Sequence, residues 1–318
     1  MTADVTATSI RAGQVLDLAG VATRVWASDP ARAEAIAALL REAMPTSDPP
    51  SVEFRFEDAP APSMAWSGDG PFEIRREASG VVFVRSALGL VARVTPEEIL
   101  VVGDARDLRA ALRPVFAFAV AHVFASRGRQ VLHAAGLGVD DGCVLVLGPT
   151  GAGKSTVALC ALRCGWPVLG DDLVVLDVLD GSGEGVFATA LPRPIAAPPD
   201  VVDAARAVPV SGDTRERLEL PRGTLTSGTR PVLGLIVTTH ATSPHSTMQA
   251  IRTFAVPTTV LASFLVADDA EMRKTLFPLT MALSRLPAVE LAHGTDPNAR
   301  LDDGAALLEQ IRERLSLR

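Results

Sequence analysis

Residues 148–156 read Gly148-Pro149-Thr150-Gly151-Ala152-Gly153-Lys154-Ser155-Thr156, a full match to the spacing G-x-x-x-x-G-K-[ST]. Glycines at this spacing let successive backbone N–H groups converge on an anion, and a helix starting at the lysine adds the positive end of its dipole. The lysine carries information beyond the motif. Of the 30 Lys+Arg residues in the chain, only Lys154 and Lys274 are lysine. Arginine stands almost everywhere else. It does not stand where a compact ammonium must enter a ring of N–H groups, a place for which a planar guanidinium is too wide. Residues 148–156 are therefore expected to cradle nucleotide phosphates. Lys154 would reach the β- and γ-phosphates, and the Ser155 hydroxyl would hold Mg2+.

The flanks of this stretch predict its setting. Residues 130–139 and 143–147 are apolar runs joined by Asp140-Asp141-Gly142, which reads as a β-hairpin. The second strand feeds the loop. A helix follows from Lys154 to about Cys164, with Gly165 as its C-terminal cap. The commoner setting for such a loop is a βαβ unit with parallel strands; here an antiparallel hairpin leads in. If Asp140 pairs with Cys143 around a two-residue turn, His133 falls opposite Thr150. A three-residue turn puts it opposite Pro149. Either register brings the imidazole to the phosphates and makes His133 a candidate catalytic residue.

Asp171 and Asp172 form a second constellation, 17 and 18 residues after Lys154. They follow the short apolar run Val168-Leu169-Gly170 and precede Leu173-Val174-Val175-Leu176. Adjacent residues on an extended chain point to opposite sides. One carboxylate of such a pair can bind Mg2+ while the other takes a proton from an acceptor hydroxyl.

The 318-residue chain is 48% hydrophobic and 21% charged, the composition of a globular protein. Its net charge of −7 leaves no electrostatic footprint for nucleic acid and speaks against acidic lipid surfaces. The three cysteines, Cys143, Cys160 and Cys164, have no zinc-ligand context and fit a reducing cytoplasm. Met1–Ile10 has neither a basic nor a long apolar run, so no signal peptide is expected. The apolar stretch from Ala110 to Ala125 is too short to span a bilayer and contains Arg113 and His122, so it reads as a buried helix, and no membrane partner is expected.

The first hundred residues differ from the rest. Short β-rich runs near 15–18, 51–56, 72–76, 80–85 and 89–94 are separated by Gly, Pro and Asp clusters and interrupted by a helix predicted over Asp29–Met44. This predicts a small β-rich α+β domain over 1–103, followed by an α/β phosphate-loop domain with a mixed sheet over 104–318. Within the latter, Asp104–Ser126 reads as helix, 257–286 as helix broken near Pro278, and 302–316 as a closing amphipathic helix. Segments 180–185, 192–199 and 224–230 read as turns and loops.

The combination of Leu132-His133-Ala134-Ala135-Gly136, the loop GPTGAGKST and Leu169-Gly170-Asp171-Asp172 resembles the C-terminal catalytic domain of HPr kinase/phosphorylase. Phosphoenolpyruvate carboxykinase is in the same structural group. The strong part of the resemblance covers about 130–178. It implies an ATP- and Mg2+-dependent phosphoryl transfer to a serine hydroxyl. Carried over, 148–155 and Lys154 would cradle the ATP phosphates, and Ser155 and Asp172 would serve Mg2+. Asp171 would be the base, and His133 would position or polarise its neighbours. The opposite assignment of the two aspartates stays open. The Glu-Ile-Arg-Gly-Leu-Gly signature of that family is missing, and Leu191-Pro192-Arg193-Pro194-Ile195 stands in its place. HPr itself is therefore doubtful as substrate, and Arg193, Arg222 and Arg230 compete for the role of a phosphate-binding arginine. Diverged members resemble kinases of peptide-tailoring clusters, which implies a Ser/Thr-bearing peptide or protein as partner, such as a ribosomal-peptide precursor. Family members also form rings, so the resemblance brings a homo-oligomer with it. Two other functions fit the loop: a non-catalytic ATP-binding sensor or assembly protein, and a carboxykinase-like enzyme acting on a small molecule. The latter needs a further lysine that only Lys274 could supply.

Overall fold

The computed structural model describes residues 13–64, 66, 72–178, 185–191, 195, 225, 228–251, 255–267 and 269–315. The chain divides into two compact units, Met1–Arg127 and Gly128–Arg318.

In the first unit the elements run β1 (Gln14–Leu18), β2 (Val21–Ala27), α1 (Pro30–Leu39), β3 (Met44–Pro45), β4 (Val52–Phe56), β5 (Phe72–Arg76), β6 (Val82–Ser86), β7 (Leu90–Val94), β8 (Glu98–Gly103) and α2 (Leu108–Ala125). The strands described form one mixed sheet in the order β3-β1-β2-β4-β8-β7-β6-β5. β4 lies parallel between β2 and β8, and the other ladders are antiparallel. Asp29 caps α1 through its carboxylate, which accepts from the Arg32 N–H, and Pro30 opens the helix as expected. The helix stops at Leu39, short of the Met44 predicted. A buried Arg32 ties it down: its guanidinium donates to Asp29, Asp58 and the Gly103 carbonyl, and lies over the Phe56 ring.

The apolar stretch near 110–125 is helical and buried, and Asp107 rather than Asp104 caps it. It is long and apolar enough to cross a membrane by composition, but 61% of it is buried in this fold. It packs on β6, β7 and α1. This moves the boundary between the units. The sequence places it after 103, where the last β-rich run ends, whereas the division falls after Arg127. Helix α2 supplies Leu112, Val115, Phe116 and Val120 to the first unit, with Phe116 edge-on to Phe54 of β4.

The second unit runs β9 (Gln130–Leu132), β10 (Ala135–Val139), β11 (Gly142–Leu147), α3 (Lys154–Arg163), β12 (Val168–Gly170), β13 (Val174–Val178), β14 (Val186–Ala190), β15 (Thr229–His240), β16 (Thr247–Ala250), α4 (Ala255–Ser263), α5 (Ala270–Ser284), β17 (Ala288–His293) and α6 (Pro297–Arg314). The 12-residue β15 joins two ladders. Its first residues pair antiparallel with β14, which continues to β13 and β9. The remainder lies between β11 and β17 and runs parallel to both. β10 returns antiparallel to β11, and β12 antiparallel to β10. β12 therefore runs in the same direction as β11. Its C-terminal end and the residues that follow arrive at the same edge of the sheet as the end of β11.

The sequence reads 130–139 as one strand. The structure breaks it at His133-Ala134, with β9 going to β13 and β10 to β11. Further along, the helical stretch 257–286 is interrupted at 264–269 rather than at Pro278, which lies inside α5. A mixed α/β architecture is thus observed. The core of this unit is built from Val144 and Val146 of β11, Ile236 of β15, Val289 and Leu291 of β17, Val157 and Ala161 of α3, and Leu308 and Ile311 of α6.

Cys143 sits in the middle of this sheet. Burial pushes its thiol up from 9.0 to about 12, against a small opposing pull from Arg230. The unfolded chain gives up this proton near pH 9, and the folded chain keeps it to about pH 12. Between those values the unfolded state binds fewer protons, so stability falls as pH rises, by up to about 1.4 kcal/mol per pH unit. Denaturant midpoints at about pH 8 and pH 10 should therefore drop more for the wild type than for Cys143→Ala. In the folded protein, alkylating reagents should leave Cys143 untouched.

Candidate functional site

The glycine-rich stretch 148–156 spans the end of β11 and the start of α3. Ala152 N donates to the Pro149 carbonyl (3.1 Å), which closes the turn, and Val157 N donates to the Gly153 carbonyl (3.0 Å), which opens the helix. Two glycines are dictated by their surroundings. Gly148 has φ +150, and a Cβ there would lie 2.5 Å from Thr238 Oγ1 and 2.6 Å from the Thr238 carbonyl. Thr238 Oγ1 donates to the Leu147 carbonyl (3.0 Å), so β15 holds the entry of the loop from beside it. Gly153, at φ +96, is the N-cap of α3 and has no side chain to cap the helix. That leaves the first N–H groups of α3 facing the loop.

Lys154 is buried at 5% exposure. Its ammonium lies across the loop and donates to the Gly148 carbonyl (2.8 Å) and the Pro149 carbonyl (3.1 Å). Thr156 is buried in the same turn, and Gly151 sits at its open side. Loop, lysine and the start of α3 thus lie together.

The two aspartates meet different partners, at a bend after β12 rather than on an extended chain. Asp171, 2% exposed, accepts a hydrogen bond from Ser155 Oγ at 2.7 Å. Asp172 turns the other way. It adopts the left-handed region at φ +79, uncommon for a residue other than glycine but tolerated by aspartate. His133 Nδ1 lies 3.0 Å from its carbonyl oxygen and 3.1 Å from its carboxylate Oδ1. With two acceptors on that side, Nδ1 is the protonated nitrogen, by assignment from the hydrogen-bond geometry.

This pairing differs from the sequence expectation. The resemblance implies Ser155 and Asp172 as the Mg2+ ligands, with Asp171 as base. The structure brings Ser155 to Asp171, because the side chain at the end of β12 points back toward the first turn of α3. His133 also arrives by a route other than the one predicted. The hairpin pairs Val139 with Gly142 and Ala135 with Val146, so each partner lies two residues away from the expected Asp140–Cys143 register, and its ladder ends before His133. The backbone N–H of His133 instead donates to the Ser263 carbonyl (2.7 Å) at the end of α4, and its ring meets Asp172 rather than Thr150 or Pro149.

Of the three candidate arginines, Arg193 and Arg222 lie outside the described residues, as do 180–184, 192–194 and 196–199. Arg230 is at the far end of the sheet. It starts β15 and donates to the Asp140 carbonyl (3.1 Å) in the hairpin turn, a strand length away from the phosphate loop at the other end of β11. Lys274 is exposed on α5. One neighbour of the loop had no signal in the sequence: His293, 3% exposed, at the C-terminal end of β17, packs against Gly153. It is separated from the loop by more than a hundred residues, and a lone histidine ending an apolar strand announces nothing.

The donor set fits a small hard cation. Ser155 Oγ and the Asp171 carboxylate are adjacent oxygen donors. Mg2+ is typically held by one or two protein oxygens, with substrate phosphates and waters completing its octahedron. No group of three or more His, Cys, Asp or Glu side chains is arranged to hold a metal by itself among the described residues.

No protein-family model matches this chain, and no curated protein matches it. Among solved structures, the Hpr(Ser) kinase/phosphatase from Coxiella burnetii aligns with 58% of this chain and 98% of its own length, at 13% sequence identity and a TM-score of 0.28. A superposition that loose decides nothing about chemistry, which has to be argued from the site's own residues.

Proposed function

We propose that the second unit is an ATP- and Mg2+-dependent kinase that phosphorylates a serine or threonine hydroxyl on a peptide or protein. The observation that carries this reading is the division of labour between adjacent carboxylates. Asp171 is hydrogen-bonded to the phosphate-loop serine, and Asp172 is held by His133. A nucleotide-binding site needs the first; phosphoryl transfer to a hydroxyl also uses the second.

The backbone of 148–155 and Lys154 bind and orient the triphosphate. Ser155 and Asp171 would hold Mg2+, which would supply charge neutralisation to the phosphate oxygens. Asp172 receives the acceptor's hydroxyl proton. The acceptor oxygen bonds to the γ-phosphorus, the bond from that phosphorus to the bridging oxygen breaks, and ADP leaves with the electron pair. His133 fixes Asp172 through Nδ1, holding both its carbonyl and its carboxylate, so the base stays in an unusual backbone conformation that would otherwise relax. The peptide or protein acceptor follows from the resemblance of 130–178 to HPr-kinase-like proteins and their peptide-tailoring relatives. A carboxykinase reading is disfavoured, since Lys274 is exposed on a helix and Lys154 is committed to the loop.

The test is transfer of label from γ-labelled ATP, with Mg2+, to serine- and threonine-containing peptides encoded beside the gene. Phosphoserine or phosphothreonine should form, along with stoichiometric ADP. Tight Mg·ATP binding with every such peptide unlabelled would overturn the kinase reading in favour of a nucleotide sensor.

A further inference from the structure

The backbone of the phosphate loop is braced from outside by one buried ring. Gly153 is the residue at which the loop becomes helix, and a Cβ built there would overlap His293 Cδ2 and lie 2.5 Å from Nε2. The imidazole is 3% exposed, at the C-terminal end of β17. Its own position is over-determined. The His293 carbonyl accepts from Ala241 N (2.7 Å), and the next residue, Gly294, donates to Ser246 Oγ (3.1 Å). Ser246 N donates in turn to Asp303 Oδ2 of α6 (2.8 Å). Hydrogen bonds thus run from α6 through Ser246 to the backbone at 293–294, and the ring borne there meets Gly153.

We infer that His293 is a positioning residue for the bound phosphates: its ring is a wedge that fixes Gly153, and through it the direction of the first N–H groups of α3. This rests on the phosphate-loop reading above. Gly153 is held at φ +96, a conformation that nothing in its own side chain enforces, and the Cδ2–Nε2 side of the ring is what it closes on. Trimming that ring leaves the loop free to move away from the geometry that converges its donors. Anion affinity depends on that convergence far more than fold stability does.

The experiment is calorimetric titration of the full chain with Mg·ADP. His293→Ala should raise the Kd about tenfold or more, with a thermal midpoint within a few degrees of wild type. His293→Phe keeps a flat ring and should stay within about threefold of wild type. Should His293→Ala fail to fold, His293→Val, which removes the ring but suits a strand, carries the same expectation. Unchanged affinity in the ring-less variants overturns the inference and leaves the phosphate-loop reading standing. Loss of affinity in His293→Phe equal to that in His293→Ala overturns the wedge, because it shows that shape is not what acts. Wild-type protein that fails to bind Mg·ADP overturns the phosphate-loop reading itself, and the wedge with it.

Discussion

Lys154→Ala should abolish phosphoryl transfer and weaken Mg·ATP binding by about a hundredfold or more. The ammonium is buried, and its two hydrogen bonds, to the Gly148 and Pro149 carbonyls, place it within the ring of N–H groups. A triphosphate entering that ring meets the charge at close range and out of bulk water, where it is poorly screened. Hydrogen bonds to charged groups contribute about 1.5–3 kcal/mol each. Losing two of them to the phosphates is worth about 3 kcal/mol or more, which corresponds to about two orders of magnitude in Kd. Lys154→Arg should not rescue. Its planar fork cannot lie across a loop closed by Ala152 N and the Pro149 carbonyl. Isothermal titration with Mg·ATP checks both variants, and an affinity within about threefold of wild type in Lys154→Ala would remove the loop from the mechanism.

Asp172→Asn should lower kcat by about a thousandfold while leaving the Kd for Mg·ATP within about threefold. The amide keeps the size of the carboxylate but cannot take a proton. Asparagine also tolerates the left-handed conformation that residue 172 adopts at φ +79, so the backbone need not move. Asp171→Asn should behave differently. It weakens the oxygen pair with Ser155 and should raise the Mg2+ concentration needed for half-maximal activity, with a loss that excess Mg2+ partly restores. The two variants therefore separate along different axes, kcat for one and metal dependence for the other. Were the pure kcat loss to fall on Asp171→Asn and the metal shift on Asp172→Asn, the roles would be exchanged, and the proton would be taken on the buried side of the chain.

Much of this site is legible along the chain. The glycine-rich loop is nine consecutive residues, and the turn and helix start that it makes follow from the local spacing of its glycines. Likewise, the Asp140-Asp141 turn and its two apolar strands announce a hairpin. The register is not legible, because Gly142 reads as part of the turn. It is a strand residue paired with Val139, and it is glycine for another reason: a Cβ there would lie 2.5 Å from the Leu233 side chain and 2.8 Å from the Pro231 carbonyl. That constraint comes from β15, some ninety residues away, and leaves no local trace.

The same reasoning accounts for the domain boundary. The run of β-rich segments ends at Gly103, and a helix after it is equally compatible with either neighbour by pattern. Its apolar face finds β6 and β7, which are earlier in the chain, so the helix belongs to the first unit. Its buried and apolar character was readable from composition alone; its partner was not.

By itself, the sequence determined that a glycine-rich loop sits on a strand-to-helix junction, that two adjacent carboxylates follow its helix, and that a histidine precedes it by a strand pair. Those are properties of neighbouring residues, set by covalent spacing and backbone geometry. Only the tertiary structure decided that Asp171 meets Ser155, that His133 holds Asp172, and that His293 closes on Gly153. Each of those contacts joins segments of the chain that approach through strand order and packing, and the energy that selects them is spread over the whole core rather than written at either end of the contact.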